Sequence, residues 1–267
     1  MRTAFLLLAA TCCGNLSWSA EGNRQAAPLY TPSSILNAAT NASGALSPNA
    51  IGVVYGQGLA YTTKSLASGD LRDGSMPTIL PGTGLRVLIG NVPAHLYHVS
   101  PTQVNFLVPA NLRPGLVDFQ LVLDGKAGPA VQIPIGRTSP GLFQQESGAA
   151  VVARADGSLA TRTARARPGE NVVLYATGLG DTVPPLTYGM VAKDAARIAA
   201  AQEFQVLLNG HPVDPALVAY VGVTPGFGGL YQINLRIPEG TKEDPEVRLV
   251  IGDAASPAGV ILPLRTE

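Results

Sequence analysis

Cysteine is almost absent from this chain, and the two that occur, Cys12 and Cys13, lie near its start. If that segment is removed, the mature chain has neither a disulfide nor a thiolate metal site. Charged residues are also scarce, at 13%, and 18 basic residues balance 18 acidic ones. A nucleic-acid-binding protein normally has a clustered basic face. The composition therefore argues against nucleic acid as a partner.

Long hydrophobic runs are absent too, apart from Ala4 to Cys13, which is too short to span a bilayer. Arg2 precedes this run, and Ser17-Trp18-Ser19 places small residues at the −3 and −1 positions of a cleavage site. We therefore predict a signal peptide over residues 1–19, export to the periplasm, cell surface or medium, and a disordered lead-in over 20–28. Lipidation at Cys12 is the alternative, and it is the one arrangement that attaches the chain to a membrane.

The chain contains an internal repeat. Gln103-Val104-Asn105-Phe106-Leu107-Val108-Pro109 returns as Gln232-Ile233-Asn234-Leu235-Arg236-Ile237-Pro238. The segment from Val53 to Ala60 similarly matches Val173 to Gly180, and Arg86 to Gly90 matches Gln205 to Asn209. Three matches in the same order divide the chain into two related units, with a short insertion late in the second, at Gly226 to Gly229.

The repeated segments have the apolar alternation of β-strands. Strand-like runs are short and separated by turn signals, of which Asp124-Gly125 is the strongest. We predict an all-β fold of two tandem immunoglobulin-like β-sandwich domains, over residues 29–137 and 138–267. One short helix is expected at Ala192 to Gln202, where alanine is frequent.

Two long segments, Tyr61 to Gly84 and Asp181 to Gln202, differ between the units although the flanking strands agree. Loops of this length are uncommon in compact domains and often carry function. We predict that they form a ligand surface, with the exposed anchors Tyr61, Arg72, Tyr188 and Arg197. The alternative is that both loops pack over the ends of the sandwiches.

Residues that could carry chemistry are few, and no catalytic motif of a hydrolase, zinc protease or nucleotide-binding enzyme occurs. His95 and His98 are predicted to be exposed turn residues that point to opposite faces if their segment is a strand. His211 precedes a proline in a turn. We therefore predict no catalytic residue, no metal site, no cofactor and no enzymatic activity.

Three other clusters have structural interpretations. Asp70 with Asp73-Gly74 lacks the ligand ladder of a calcium loop and is predicted to be a polar turn. The arginines at positions 162, 165 and 167 are predicted to be a solvated edge. Asn105 and Asn234 are predicted to bond backbone at the end of a sheet.

Several motifs are shared with a known family. Tyr97 to Pro109, Leu174 to Gly180 with Pro184-Pro185, and Thr224 to Asn234 resemble the signature of an uncharacterised acidobacterial C-terminal domain family of exported proteins. The resemblance extends from about Ile35 to the C-terminus. It implies paired immunoglobulin-like modules of the IPT/TIG kind and export, and it implies no catalytic residue.

We therefore expect a non-enzymatic protein that mediates binding or adhesion at the cell surface or to extracellular polymer, through an unidentified protein or polysaccharide ligand. A structural or assembly accessory that docks on an envelope or secreted partner is the second hypothesis, and a hydrolase with an unrecognised site is the third. The sequence leaves the oligomeric state open.

Overall fold

The computed structural model describes residues 27–266, in which antiparallel strands dominate and no α-helix occurs. The predicted signal peptide, the lipidation alternative and most of the lead-in lie outside the described residues. Pro28, at the end of the predicted lead-in, is buried. The described residues contain four short 3-10 helices, at Pro32–Ser34, Ser68–Asp70, Ala201–Glu203 and Pro215–Leu217.

Strands follow one another throughout the chain. In the N-terminal half they are β1 (Ile35–Asn37), β2 (Ile51–Tyr55), β3 (Lys64–Ser65), β4 (Leu85–Ile89), β5 (Val92–Pro93), β6 (His95–Val99), β7 (Gln103–Leu107), β8 (Gly115–Leu123), β9 (Lys126–Ala127) and β10 (Val131–Ile135). In the C-terminal half they are β11 (Gly141–Leu142), β12 (Val152–Arg154), β13 (Leu159–Ala160), β14 (Asn171–Thr177), β15 (Thr182–Val183), β16 (Arg197–Ile198), β17 (Phe204–Leu208), β18 (His211–Pro212), β19 (Val218–Val223), β20 (Tyr231–Arg236), β21 (Val247–Ile251) and β22 (Ala254–Ala255).

Each half has two sheets packed on one apolar core. In the N-terminal half the strand orders are β1-β2-β7-β6-β3 and β10-β8-β4-β5, and Phe106 of the first sheet contacts Phe119 of the second with ring centroids 5.4 Å apart. In the C-terminal half the orders are β13-β12-β14-β20-β19-β16-β15 and β18-β17-β21-β22. Face-to-face antiparallel sheets are the architecture of immunoglobulin-like sandwiches. The predicted fold class is confirmed, whereas the division into two independent domains stays a prediction.

The sequence repeat is also a repeat of strand register. In the β2–β7 pair, Val53 is opposite Asn105 and Tyr55 is opposite Gln103. The corresponding residues of β14 and β20 form the same pairs, with Val173 opposite Asn234 and Tyr175 opposite Gln232. The central strands of the two halves are therefore equivalent residue by residue.

At one of these equivalent pairs, the two halves fill the core with residues of different size. Gly52 is opposite Phe106, and a Cβ at Gly52 would lie 2.5 Å from a ring carbon of Phe106. At the equivalent pair of the C-terminal half, Val172 is opposite Leu235. A glycine beside a phenylalanine thus fills the same place as a valine beside a leucine, as dense interior packing requires.

The predicted helix at Ala192 to Gln202 is wrong. Arg197–Ile198 forms β16, which pairs with β15 and β19, and only the 3-10 helix Ala201–Glu203 follows. Ala192 and Ala196 are buried in a small cluster with Val223. Tertiary burial therefore overrides the intrinsic helix propensity of alanine.

The two halves meet at a joint of direct contacts centred on Thr177 and Gly178. The backbone N–H of Ile51 donates to the Thr177 hydroxyl oxygen at 2.8 Å, and that hydroxyl donates to the carbonyl of Gly229 at 2.7 Å. Ser139 donates its backbone N–H to the Gly178 carbonyl at 2.8 Å and its hydroxyl to Ser47 at 2.9 Å. The joint is therefore hydrogen-bonded through buried groups from both halves.

The segment inserted in the second unit, Gly226 to Gly229, also forms contacts at the joint. The hydroxyl of the half-buried Tyr97 donates to the carbonyl of Gly228, and the N–H of Gly228 donates back to that hydroxyl at 3.0 Å. A Cβ at Gly229 would lie 2.5 Å from the carbonyl oxygen of Asn49. The glycines of the insertion therefore allow the backbones of the two halves to approach closely.

Candidate functional site

The two long loops, predicted to form a ligand surface, contact each other instead over part of their length. The N–H of Met76 donates to the carbonyl of Gly189 at 2.8 Å, and the N–H of Val191 donates to the carbonyl of Gly74 at 2.9 Å. These segments come from different halves of the chain. The contact therefore extends the joint, and it removes these loop segments from the predicted surface.

Tyr188 was predicted to be an exposed anchor, whereas the structure places it half-buried between the two halves. Its hydroxyl lies 3.2 Å from the Pro93 carbonyl oxygen and 3.1 Å from that of Leu107, and its ring meets His95 edge to face at a centroid distance of 4.7 Å. Burial raises the pKa of Tyr188 above the ordinary value of a tyrosine. Tyr188 therefore holds the two halves together.

Of the other three predicted anchors, two lie in the first loop and one lies in a strand of the C-terminal half. Tyr61 is 41% exposed at the start of the first loop, and Arg72 further along that loop lines an open depression of about 290 Å³ together with Asp70. Arg197 lies in β16, in the C-terminal half. Of the four predicted anchors, Arg197 alone lies on the outer surface of a sheet, away from the core.

The most regular polar feature of the molecule is repeated on the outer surfaces of both halves. In the β2 and β7 strands, Gly52, Val54, Val104 and Phe106 face the core, so the alternate residues Tyr55, Gln103 and Asn105 face outward. The same alternation turns Tyr175, Gln232 and Asn234 outward in β14 and β20. All six side chains are half-buried.

An amide–amide hydrogen bond joins two members of each set. The Nε2 of Gln103 donates to the Oδ1 of Asn105 at 2.8 Å, and the Nε2 of Gln232 donates to the Oδ1 of Asn234 at 3.1 Å. The predicted bond from each asparagine to backbone at the sheet end is therefore wrong. Each glutamine instead orients its asparagine, so the two amides form one fixed polar unit.

A β-bulge at the same place in both halves brings one further ring-bearing side chain beside each outward set of tyrosine, glutamine and asparagine. The pairing shifts between Leu96 and His98 in β6, and between Val218 and Tyr220 in β19. After the bulges, His98 is opposite Asn105 and Tyr220 is opposite Asn234. The N-terminal outer face is therefore Tyr55, His98, Gln103 and Asn105, and the C-terminal outer face is Tyr175, Tyr220, Gln232 and Asn234, with Arg197 beside them.

Sequence reasoning missed Tyr220, although a signal was available. The repeat was found in β7 and β20 but not in the neighbouring β6 and β19, because their sequences differ and the bulge breaks their alternation. The available signal is that β6 and β19 each come directly before a matched strand. The inserted segment obscures it, because Tyr220 lies 14 residues before Asn234 whereas His98 lies 7 residues before Asn105.

The bulge also corrects the prediction for the histidines. His95 is opposite Leu107 and His98 is opposite Asn105, so both face outward from the same side of a strand. Exposed turn residues were predicted, with opposite faces as the expectation for a strand. The Nδ1 of His95 bonds the carbonyl of Met76, and the Nδ1 of His98 lies 2.9 Å from the Ser65 hydroxyl. Neither histidine has a metal-ligating partner, and residues 27–266 contain no group of three or more His, Cys, Asp or Glu side chains placed to hold a metal ion.

We expect the stability of the fold to decrease between pH 7.5 and pH 5. Burial lowers the pKa of both His95 and His98 below 6.5, so the unfolded chain binds protons more tightly. The stabilisation is complete above the unfolded pKa of about 6.5 and is lost as the pH falls through the lower folded values. Urea midpoints across this range measure the effect.

The control for this pH dependence is the double variant His95→Gln, His98→Gln. Both substitutions retain a polar side chain of similar size, and neither titrates. The double variant should show a flatter profile between pH 7.5 and pH 5, and an unchanged slope would contradict the assignment to these two histidines.

The remaining charged clusters are held by local contacts. Asp70 accepts from the N–H of Ala67 at 2.8 Å and pairs with Lys64 at 3.1 Å, and both bonds lower the pKa of its carboxyl. Arg165 pairs with Glu243 and with Asp244, whereas Arg162 donates to the Ser147 carbonyl at 3.0 Å. His211 is exposed in β18. These contacts are those of a polar turn and a solvated edge.

Comparison with known proteins gives weak structural similarities only. No protein-family model and no curated protein matches the chain. A surface glycan-binding protein from Prevotella bryantii matches 89% of this chain at 8% identity and a TM-score of 0.29. A second such protein, from a Bacteroides ovatus mixed-linkage glucan utilization locus and bound to a mixed-linkage heptasaccharide, matches 84% at 10% identity and a TM-score of 0.34. The tandem Ig repeats of Dlar match 84% at 10% identity and a TM-score of 0.22.

The chain spans 42% and 44% of the length of the two glycan-binding proteins. At these identities and TM-scores, no residue role is transferred from any of them. Within residues 27–266, no helix has the length and apolar character that a bilayer crossing requires.

Proposed function

We propose that the chain is an exported, non-enzymatic binding module that recognises an extracellular polysaccharide through the two outer faces. The observation that carries this proposal is the repeated outward set of one tyrosine, one glutamine and one asparagine with the same register in both halves. Residues that face the two main cores are constrained by packing, but none of these six belongs to either core. Tyr175 alone packs against a small third cluster, which contains Ile51 and Phe143. The recurrence of the amide pair is explained by a shared role at the surface.

The chemistry of each outer face suits hydroxyl-rich ligands. A primary amide provides two donor hydrogens and an acceptor oxygen, and sugar hydroxyls both donate and accept. The glutamine–asparagine bond uses one hydrogen and one oxygen of each pair, and the remaining amide groups have no other hydrogen bond within residues 27–266. Tyrosine and histidine rings beside the amides offer flat surfaces with a polar edge.

The rest of the surface favours a polysaccharide over a docked protein. The exposed large apolar residues of the described chain are four, namely Leu29, Tyr61, Leu116 and Val183. Leu116 lies in β8, Val183 lies in β15, and the other two lie outside the named strands, so no single element presents two of them together at a protein interface. A hydrogen-bonding surface of oriented amides is therefore the best-developed candidate for contact.

We expect each double variant, Gln103→Ala, Asn105→Ala and Gln232→Ala, Asn234→Ala, to weaken polysaccharide binding about tenfold. Loss of two hydrogen bonds to a ligand at about 0.5–1.5 kcal/mol each corresponds to a factor of this size. Affinity electrophoresis of the chain from Ala20 in gels that contain soluble neutral polysaccharides measures the effect.

The matched control is Gln132→Ala, since Gln132 is an exposed strand residue of the opposite sheet. This control should bind like the wild type. Unchanged binding in both double variants, or retention by no polysaccharide, would contradict the proposal. Capture of one specific envelope protein through the same faces would favour the accessory role instead.

A further inference from the structure

We propose that the C-terminal outer face binds an anionic group on the sugar, a carboxylate or a sulfate, with Arg197 as its cationic ligand. This inference rests on the proposed function and specifies its ligand class. It starts from the position of β16, which carries Arg197 to the same outward surface as the amide pair. Gly222 of β19 is opposite both Arg197 and Gln232, so the two side chains belong to one cross-strand row.

The guanidinium of Arg197 is held in place by two contacts. Its Nη2 donates to the carbonyl of Ala219 at 2.9 Å, and its central carbon lies 5.3 Å from the ring centroid of Tyr220. Stacking on an aromatic ring and one backbone bond reduce the freedom of a long side chain, so less entropy is lost when a ligand binds. The remaining N–H groups have no hydrogen-bond partner within the described chain.

Tyr220, which supports Arg197, is itself fixed. Its hydroxyl lies 3.0 Å from the Ala196 carbonyl oxygen and 2.9 Å from that of Val223. A Cβ at Gly222 would lie 2.4 Å from the same hydroxyl, so the ring extends along β19 above that glycine. Gly222 thus leaves the space in which the ring can lie between Arg197 and the amide pair.

The charge of Arg197 is not neutralised within residues 27–266. The five ion pairs found there involve other residues, and the second arginine turned outward on this sheet, Arg236, lies 3.9 Å from Glu239. A planar guanidinium with two free N–H groups matches the two oxygens of a carboxylate, and sulfate oxygens accept the same bonds. An anion beside hydroxyls is therefore the ligand that Arg197 and the amides would bind together.

The N-terminal outer face lacks this feature. The strand that borders β6 there is β3, whose Ser65 lies opposite His98, while its Lys64 is paired with Asp70. The two outer faces thus share the amide pair and differ in charge. We infer that the N-terminal face contacts neutral sugar units and that the C-terminal face selects a charged one.

The test compares Arg197→Gln and Arg197→Lys with the control Arg236→Gln, on matched polymers. The probes are polygalacturonate, its fully methyl-esterified form, a sulfated galactan and its unsulfated counterpart. We expect Arg197→Gln to weaken binding to a charged polymer at least tenfold, Arg197→Lys to restore part of it, and Arg236→Gln to change it less than twofold. Dependence on the carboxylate probe or on the sulfate probe identifies the anion.

Two outcomes would overturn the inference. One is equal binding of a charged polymer by wild type and Arg197→Gln, and the other is an equal loss in Arg236→Gln, which would indicate a general charge effect. If neutral polymers still require Gln103 and Asn105 in that case, the proposed function stands and only this inference fails. If no polymer of either kind binds, both fail. An unchanged urea midpoint for Arg197→Gln shows that the fold is intact.

Discussion

Replacement of Gly178 by alanine is expected to destabilise the fold by about 3–4 kcal/mol, because two penalties add. Gly178 has a φ of 77°, a conformation that side chains disfavour by about 1–2 kcal/mol. A Cβ there would also lie 2.1 Å from the carbonyl oxygen of Ser139. That carbonyl accepts from Asn37 at 2.9 Å, and the N–H of Ser139 donates to Gly178, so Ser139 cannot move aside without breaking the joint.

The control variant Gly157→Ala separates the penalty of the positive φ from the penalty of the steric clash. Gly157 has a φ of 82°, yet a Cβ there would have no neighbour within 4 Å. It should therefore show the conformational penalty alone, and the difference between the two urea unfolding free energies measures the clash at the joint. Equal losses in the two variants would mean that the Ser139 carbonyl moves away from the new Cβ at no free-energy cost.

Phe106→Ala is expected to lower the free energy of unfolding by about 3–5 kcal/mol, the usual range for a fully buried phenylalanine. Phe106 is completely buried, and its ring lies over Gly52 and against Phe119. The surrounding sheets are hydrogen-bonded ladders and cannot collapse into the cavity. Chemical denaturation measures the loss, and Leu116→Ala, at a residue that is 67% exposed, is the control with an expected change below about 0.5 kcal/mol.

A second measurement tests the same core position by introducing the equivalent residues of the C-terminal half. Gly52→Val alone introduces a clash with the Phe106 ring, whereas Gly52→Val with Phe106→Leu copies the pair Val172 and Leu235. We expect the double variant to be more stable than Gly52→Val alone. Additive losses would show that the two halves do not share a packing rule at this position.

The strands could be predicted from sequence because they follow a local rule, whereas their pairing and register come from the structure. Alternation and the repeated segments indicated β2, β7, β14 and β20, and the structure pairs them as two equivalent sets. Residues such as Tyr188 and His98 could not be predicted in the same way. Their surroundings depend on a bulge and on chain segments far away in sequence.

The candidate site was only partly visible in the sequence for the same reason. The long segment from Asp181 to Gln202 predicts Arg197 as an anchor, but its position on the outer face follows from the pairing of β16 with β19. Asn105 and Asn234 were noticed because they recur, and their partners Gln103 and Gln232 recur beside them. Only the side-chain hydrogen bond shows that each pair acts as one group.

The two bulges carry different residues, and only the bulge of the N-terminal half contributes to the joint between the halves. The bulged residue of β6 is Tyr97, which receives the inserted segment of the second copy, whereas the bulged residue of β19 is Ala219. A methyl group cannot supply the phenol hydroxyl that Gly228 requires. The contact therefore needs one unit of each kind, because the first supplies the tyrosine and the second supplies the inserted segment, and two copies of either unit alone could not form it.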